Sequence, residues 1–172
     1  MKVARVPLAL VALSALTACE APTLTAPSPP APSNQIIMQS MSPSSGATLP
    51  VDKCRYYPSS FNLDFWEMCA DGLSLRFDVE FEADVTSAVI TAGFYSGSQR
   101  CGLATSQPAP LVAGSRTAFE ATVILLSDES VPLLCAVPAE TSRMVVQLWE
   151  RSRPATPLLT REFAHSYRFS QQ

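Results

Sequence analysis

The sequence predicts an all-β domain, an antiparallel β-sandwich of about seven strands with Greek-key connections. Three observations carry that prediction. Residues 73–82 alternate apolar and polar side chains without a break. Short β-compatible runs follow at regular intervals, separated by Ser, Pro and Gly turns. No window repeats its apolar residues every ~3.6 positions, as an amphipathic helix would. A small closed barrel is the alternative architecture.

Taken in order, the first run is Ile36 to Met41, followed by a turn-rich stretch from Ser42 to Pro50. The clearest strand comes next. Leu73, Leu75, Phe77, Val79 and Phe81 occupy its odd positions, and Ser74, Arg76, Asp78, Glu80 and Glu82 its even ones. One face of such a strand rests on a core and the other meets water. The acids Asp78, Glu80, Glu82 and Asp84 therefore follow the wet face, and they lack the turn glycine of a calcium loop. Ala88 to Tyr95 is a further strand, closing at Ser96-Gly97-Ser98. Arg100 to Thr105 reads as a short edge strand. Thr117 to Leu126 reads as one strand ending at Ser127 to Ser130, and Arg143 to Arg151 as another, with Met144, Val145, Val146, Leu148 and Trp149. The last runs from Leu158 to Phe169, with Leu159, Phe163, His165, Tyr167 and Phe169 on one face.

The segment SPSSGATLP, residues 42–50, resembles the opening of many bacterial immunoglobulin-like or fibronectin-like modules, which makes the expected sandwich immunoglobulin-like. The N-terminus carries a more specific resemblance. Lys2 and Arg5 precede an apolar run, Val6 to Leu16, that is shorter than the ~20 residues of a membrane-spanning helix. This is the pattern of a secretory signal. It ends in Leu16-Thr17-Ala18-Cys19, which resembles the lipobox of bacterial lipoproteins. The resemblance implies cleavage before Cys19, a diacylglycerol thioether on its sulfur and acylation of the new amino terminus. Three acyl chains, at ~0.8 kcal/mol per buried methylene, anchor a protein effectively permanently. No other cofactor is expected. Glu20 is not the aspartate that commonly retains such lipoproteins in the inner membrane, so the resemblance favours the outer membrane of a Gram-negative cell envelope.

The expected organisation is a signal peptide over 1–18, a lipidated tether over 19–35 and a β-sandwich over 36–172. Glu20 to Asn34, EAPTLTAPSPPAPSN, is too polar and proline-rich to build a core and favours extended polyproline II. At ~3.1 Å per residue it would hold the domain up to ~45 Å from the lipid. Loss of Lys2 and Arg5 leaves ten basic against 15 acidic residues, a mature net charge of −5, and Lys53 is the one lysine left. An acidic domain without a basic stripe argues against nucleic acid and against electrostatic docking on anionic lipid.

The chain has five cysteines, Cys19, Cys54, Cys69, Cys101 and Cys135. An odd number in an exported chain leaves one unpaired; lipid on Cys19 leaves an even four. Export places these four in an oxidising compartment, where two disulfides are the default. Of the three connectivities, Cys54–Cys69 and Cys101–Cys135 are expected. The first closes a loop before the clearest strand, and the second ties the loop after a hairpin to Val131–Pro138. Each is worth about 3 kcal/mol through the unfolded state. The spacings are too long for the short cysteine pairs of a zinc site.

Catalytic patterns are absent from the sequence. His165 is the only histidine and falls on the apolar face of the last strand, as a core or boundary residue. Gly93-Phe-Tyr-Ser96-Gly97 lacks the spacing of a nucleophile elbow. No pair among the acids is singled out for glycoside hydrolysis. One segment is unusual: Tyr56, Tyr57, Phe61, Phe65 and Trp66 put five of the chain's 14 aromatics inside the Cys54–Cys69 loop. Projecting, they would form a preorganised surface for protein or sugar rings; otherwise Phe61, Leu63 and Phe65 alternate into the core with Trp66 at its edge. The function expected is that of a non-catalytic envelope module, membrane-bound through its lipid, which meets another envelope protein or a glycan. The alternatives are a small-ligand or carbohydrate module using the aromatic loop, and an enzyme of unrecognised type.

Overall fold

The computed structural model describes residues 33–56, 65–70, 72–127 and 134–171. Every regular element among them is a strand: β1 (Gln35–Ser42), β2 (Thr48–Tyr56), β3 (Phe65–Ala70), β4 (Ser74–Glu80), β5 (Val85–Ser96), β6 (Gln99–Thr105) and β7 (Ala109–Leu111). The remainder are β8 (Arg116–Ala121), β9 (Ile124–Ser127), β10 (Ala139–Glu140), β11 (Arg143–Glu150), β12 (Leu159–Ala164) and β13 (Arg168–Gln171). They form a three-stranded sheet, β1-β4-β8, and a ten-stranded sheet, β10-β13-β2-β3-β9-β6-β5-β11-β12, with β7 alongside β5. All pairings are antiparallel except β13 with β2.

The alternation in residues 73–82 is what seats the small sheet. Leu75, Phe77 and Val79 of β4 are fully buried, and Phe119 of β8 and Ile36 of β1 join them on the same side. Facing them are Ile90, Ala92 and Phe94 of β5 and Met144, Val146 and Leu148 of β11, all in one apolar cluster. Burying each such side chain fully stabilises the fold by about 1.5–3 kcal/mol. Leu49 and Val51 of β2, Ile124 and Leu126 of β9 and Phe169 of β13 belong to the same cluster. Strands from both ends of the large sheet thus feed one core, so the sheet curls around the small one. Sheets of about ten strands do so commonly.

The two expected disulfides are present. Cys54–Cys69 joins β2 to β3 across 15 positions, and Cys101–Cys135 ties β6 to the chain before β10 across 34.

Several boundaries differ from expectation. There are thirteen strands among the described residues rather than about seven: two long apolar runs divide between strands, and β2, β3, β7 and β10 fall in stretches read as turns or loops. Thr117 to Leu126 is two strands. Phe119 and Ala121 are buried on odd positions and Ile124 and Leu126 on even ones, so the side-chain parity slips at Thr122–Val123 as the chain crosses from β8 to β9. Leu158 to Phe169 also divides: β12 pairs with β11 at one edge of the large sheet, and β13 pairs with β2 near the other. The break falls at residues 165–167, where Ser166 N donates to Ser45 Oγ at 3.1 Å and Tyr167 N to Thr141 Oγ1 at 2.9 Å. Arg100 to Thr105 is not an edge, since β6 lies between β5 and β9. Gly102 makes that packing work: a Cβ there would stand 2.5 Å from Ile124 Cγ2. Finally, the turn-rich stretch after Ser42 gives way to β2 at Thr48.

Candidate functional site

Of the residues the sequence singles out, Cys19, Tyr57 and Phe61 lie outside the described residues. Tyr56 ends β2 opposite Phe65 of β3, and Arg55 stands opposite Trp66. The backbone thus brings Tyr56, Phe65 and Trp66 to one end of a hairpin stapled by Cys54–Cys69.

The acids of β4 and its continuation serve the fold. Glu80 accepts from Gln35 Nε2 at 2.9 Å and sits 3.9 Å from the Arg116 guanidinium. Asp84 Oδ1 accepts from Ala113 N at 2.7 Å, tying down the turn after β7. Glu82 contributes its backbone N–H, which donates to Asn34 Oδ1. Among the described residues no three His, Cys, Asp or Glu side chains converge as metal ligands would.

His165 is only 3% exposed, set edge-on to Tyr167 at 4.4 Å between ring centroids and edge-on to Phe94 at 6.3 Å. Its Nε2 is buried without a hydrogen-bond partner. Burial among these rings lowers its pKa below the usual imidazole value. Beside it the Tyr167 hydroxyl donates to Pro43 O at 2.7 Å, and burial pushes its pKa up to about 12. An imidazole enclosed in this way holds a place in the core and does not reach a surface substrate.

The described residues converge chemically on a different surface, the outer face of β6-β5-β11-β12. The odd positions of β5 and β11 point outward, opposite the buried Ile90, Ala92, Phe94, Met144, Val146 and Leu148. Cross-strand register places Arg100, Tyr95 and Arg143 in one row over three strands. The next rows hold Leu103, Gly93, Val145 and Glu162, then Thr105, Thr91, Gln147 and Thr160, and Trp149 lies beyond, opposite Val89. Two aromatic rings lie down on this surface. Gly93 has no side chain, and Tyr95 folds back over it: a Cβ at Gly93 would meet Tyr95 Cε2 at 2.9 Å and its Oη at 3.4 Å. The Trp149 indole crosses to β5, where its Nε1 donates to Thr91 Oγ1 at 2.9 Å. Both residues are half-buried.

Arg143 braces the arrangement. Its guanidinium carbon is 4.8 Å from the Tyr95 ring centroid, Nη1 donates to Glu162 Oε2 at 3.0 Å, and Nε and Nη2 donate to Gly97 O at 3.3 and 3.2 Å. A planar guanidinium both stacks on a ring and pairs bidentately, which a lysine does not. The Arg100 stem reaches the same spot, with Cδ 3.4 Å from the place a Gly93 Cβ would take. The sequence reading missed this face. Its signal was the outward series Thr91, Gly93, Tyr95, in which a glycine precedes an aromatic at the next outward position. Sequence does not disclose that β11 is the neighbour of β5.

Two open grooves are formed by described residues. One, of about 370 Å³, runs between β1 and β12 and is lined by Asn34, Gln35, Ile36 and Leu159 to Glu162. The other, of about 340 Å³, includes Thr105, Gln107, Ala118 and Glu120. Each holds one carboxylate, whereas glycoside hydrolysis works with two facing each other. What the outer face can do chemically is stack rings, donate and accept hydrogen bonds and pair with charge. No protein-family model, curated protein or solved structure matches this chain.

Proposed function

We propose that this chain is an exported envelope lipoprotein, held in a membrane by acyl chains on Cys19, whose sandwich is a non-catalytic recognition module. The observation that carries the recognition half is the outer face of β6-β5-β11-β12, with Tyr95 and Trp149 laid flat and flanked by arginines and threonines. Export is supported by the two disulfides, which persist in oxidising compartments. The lipid anchor rests on Leu16-Thr17-Ala18-Cys19, and the outer membrane on Glu20.

An immunoglobulin-like or fibronectin-like assignment is supported by strand order. In that fold the first, second and fifth strands share one sheet, and the third, sixth and seventh the other. Here β1, β4 and β8 share the small sheet, while β5, β11 and β12 are neighbours in the large one. On this reading β2, β3, β9, β13 and β10 are additions that lengthen the second sheet beyond β6. A second recognition surface is favoured by one observation: Tyr56 and Phe65 stand opposite each other at the end of a disulfide-closed hairpin.

The test uses photo-crosslinking amino acids in living cells, with the native anchor kept. Placed at Leu103 and Thr160, beside the aromatic face, they are expected to give a discrete adduct to a partner macromolecule. Placed at Ala118 on the opposite sheet, they are expected to give none. Equal, diffuse labelling from all three sites would remove the recognition reading. Independently, Cys19→Ala is expected to abolish fatty-acid labelling and signal cleavage. Mature, membrane-bound protein from that variant would remove the anchor.

A further inference from the structure

We infer that the ligand of the outer face is an acidic oligosaccharide, bound with a sugar ring on Trp149 and its anionic group on Arg100. This rests on the reading of that face as a recognition surface and names what it recognises.

The rings decide the kind of contact. A protein partner is usually gripped by aromatic anchors that project and fill a pocket on the other side. Trp149 instead crosses along the sheet to β5, while the Tyr95 ring is taken up within the face, between Gly93 and the Arg143 guanidinium. The indole N–H is spent on Thr91 Oγ1, and the tyrosine ring rests on Gly93. A face of negative quadrupole suits the partly positive C–H groups on one side of a pyranose ring. Trp149 leans toward the row of Thr91 and Tyr95 toward the row of Gly93, two residues apart on β5. The row of Arg100, opposite Tyr95, is four residues of β5 from that of Thr91, roughly 13 Å of strand rise and within the span of a short oligosaccharide. Gln147 is half-buried in the row of Thr91 and gives both a donor and an acceptor for hydroxyls. Apolar anchoring is weak: among the described residues the one exposed large hydrophobic is Val112, on the turn after β7 and away from this face.

Charge decides the class of sugar. The chain is acidic overall, with 15 acidic against 12 basic residues. This face runs the other way: Arg100 and Arg143 flank Tyr95, and Glu162 is the one acid in the same rows. Glu162 is paired with Arg143. Arg100 is exposed, and no ion pair to it is found among the described residues. An exposed guanidinium beside an aromatic ring is a site for a carboxylate or phosphate on the ligand, bound bidentately. Its positive field opposes the sign of the rest of the molecule, which selects for an anion.

The test uses the full-length lipoprotein in detergent, with tetragalacturonate as the acidic probe and its fully methyl-esterified form as the matched neutral one. Tetragalacturonate is expected to bind at least tenfold more tightly than the ester and to weaken as salt is raised. Arg100→Gln, a surface change that leaves the melting curve alone, is expected to remove most of that preference. Trp149→Ala is expected to abolish binding of both probes. Gly93→Ala, which displaces the Tyr95 ring while keeping the residue, is expected to weaken both. Equal binding of the two probes would overturn the acidic assignment. Glycan binding unaffected by Trp149→Ala and Gly93→Ala would overturn the site. Absence of binding by tetragalacturonate and by a wider panel of uronate- and phosphate-bearing oligosaccharides, with discrete protein adducts from Leu103 and Thr160, would overturn the glycan and leave the recognition face standing. Absence of both would end both readings.

Discussion

The two outer faces of this molecule are built by the same alternation and use it in opposite ways. On the small sheet the outward row of β4 reads Ser74, Arg76, Asp78, Glu80, and its neighbours answer it: Gln35 and Arg116 approach Glu80, and Ser74 Oγ donates to Glu120 at 3.0 Å. Polar groups there satisfy one another and water. On the large sheet the outward row of β5 and β11 carries Tyr95 and Trp149, pinned flat by Arg143 and Thr91. A face closed by its own ion pairs gains little from a ligand, since exposed pairs are worth only about 0–1 kcal/mol and are easily rearranged. Where the indole N–H of Trp149 is already spent on Thr91, what a ligand can still gain is stacking on the ring. Period-two patterning therefore decides which residues face out, and composition decides whether that face is solvated or used.

The largest effect that separates inside from outside lies within one strand. Phe77→Ala should cost about 3–5 kcal/mol by leaving a cavity between the sheets, whereas Asp78→Ala next to it should cost under ~0.5 kcal/mol. Urea midpoints of the two variants check this, and equal losses would break the two-sided picture of β4. Next in size is the Cys101–Cys135 link, which closes a loop of 34 positions. Replacing both cysteines by Ala should lower stability by about 3–4 kcal/mol, read as a drop in melting temperature relative to the oxidised parent. Smaller again is the contrast between faces. Trp149→Ala should lose about 1–2 kcal/mol for its half-buried ring and the bond to Thr91. Arg116→Gln on the other face should change stability by under ~0.5 kcal/mol.

The smallest expected effect is the pH dependence centred on His165. Its folded pKa is lowered from 6.5 by burial, so above that value folded and unfolded chains are both neutral there and pH has no effect through this group. Below it the unfolded chain takes up a proton that the folded one resists, and stability falls until the lowered folded value is passed. The rings of Phe94 and Tyr167 face it, and neither supplies a charge to offset the proton. His165→Phe should flatten this acid limb in urea titrations between pH 7.5 and 5. A limb of unchanged slope would assign it to the carboxylates.

Much of the inside of this fold was legible beforehand. The unbroken alternation of residues 73–82 gave β4 and its buried set, and the expected pairings of Cys54, Cys69, Cys101 and Cys135 are the two links that formed. Less legible were the places where one apolar run serves two sheets. The slip from Ala121 to Ile124 is one change of parity, and the break at His165 leaves all inward residues on odd positions, so periodicity shows no seam there. The aromatic loop drew attention because its residues are adjacent in sequence. Tyr95 and Trp149 are distant in sequence and meet only through the β5–β11 register, with Gly93 as the space that lets the tyrosine lie down. Pairing between distant strands is what a single sequence reports least.

The chain contains two tryptophans, Trp66 in the disulfide-closed hairpin and Trp149 on the outer face of β5 and β11. Fluorine NMR of full-length protein labelled with 5-fluorotryptophan, assigned through Trp66→Phe and Trp149→Phe, gives one resonance for each surface. Titration with tetragalacturonate should shift or broaden the Trp149 resonance and leave Trp66 in place. Movement of Trp66 alone would transfer recognition to the disulfide-closed hairpin and contradict the account of the outer face.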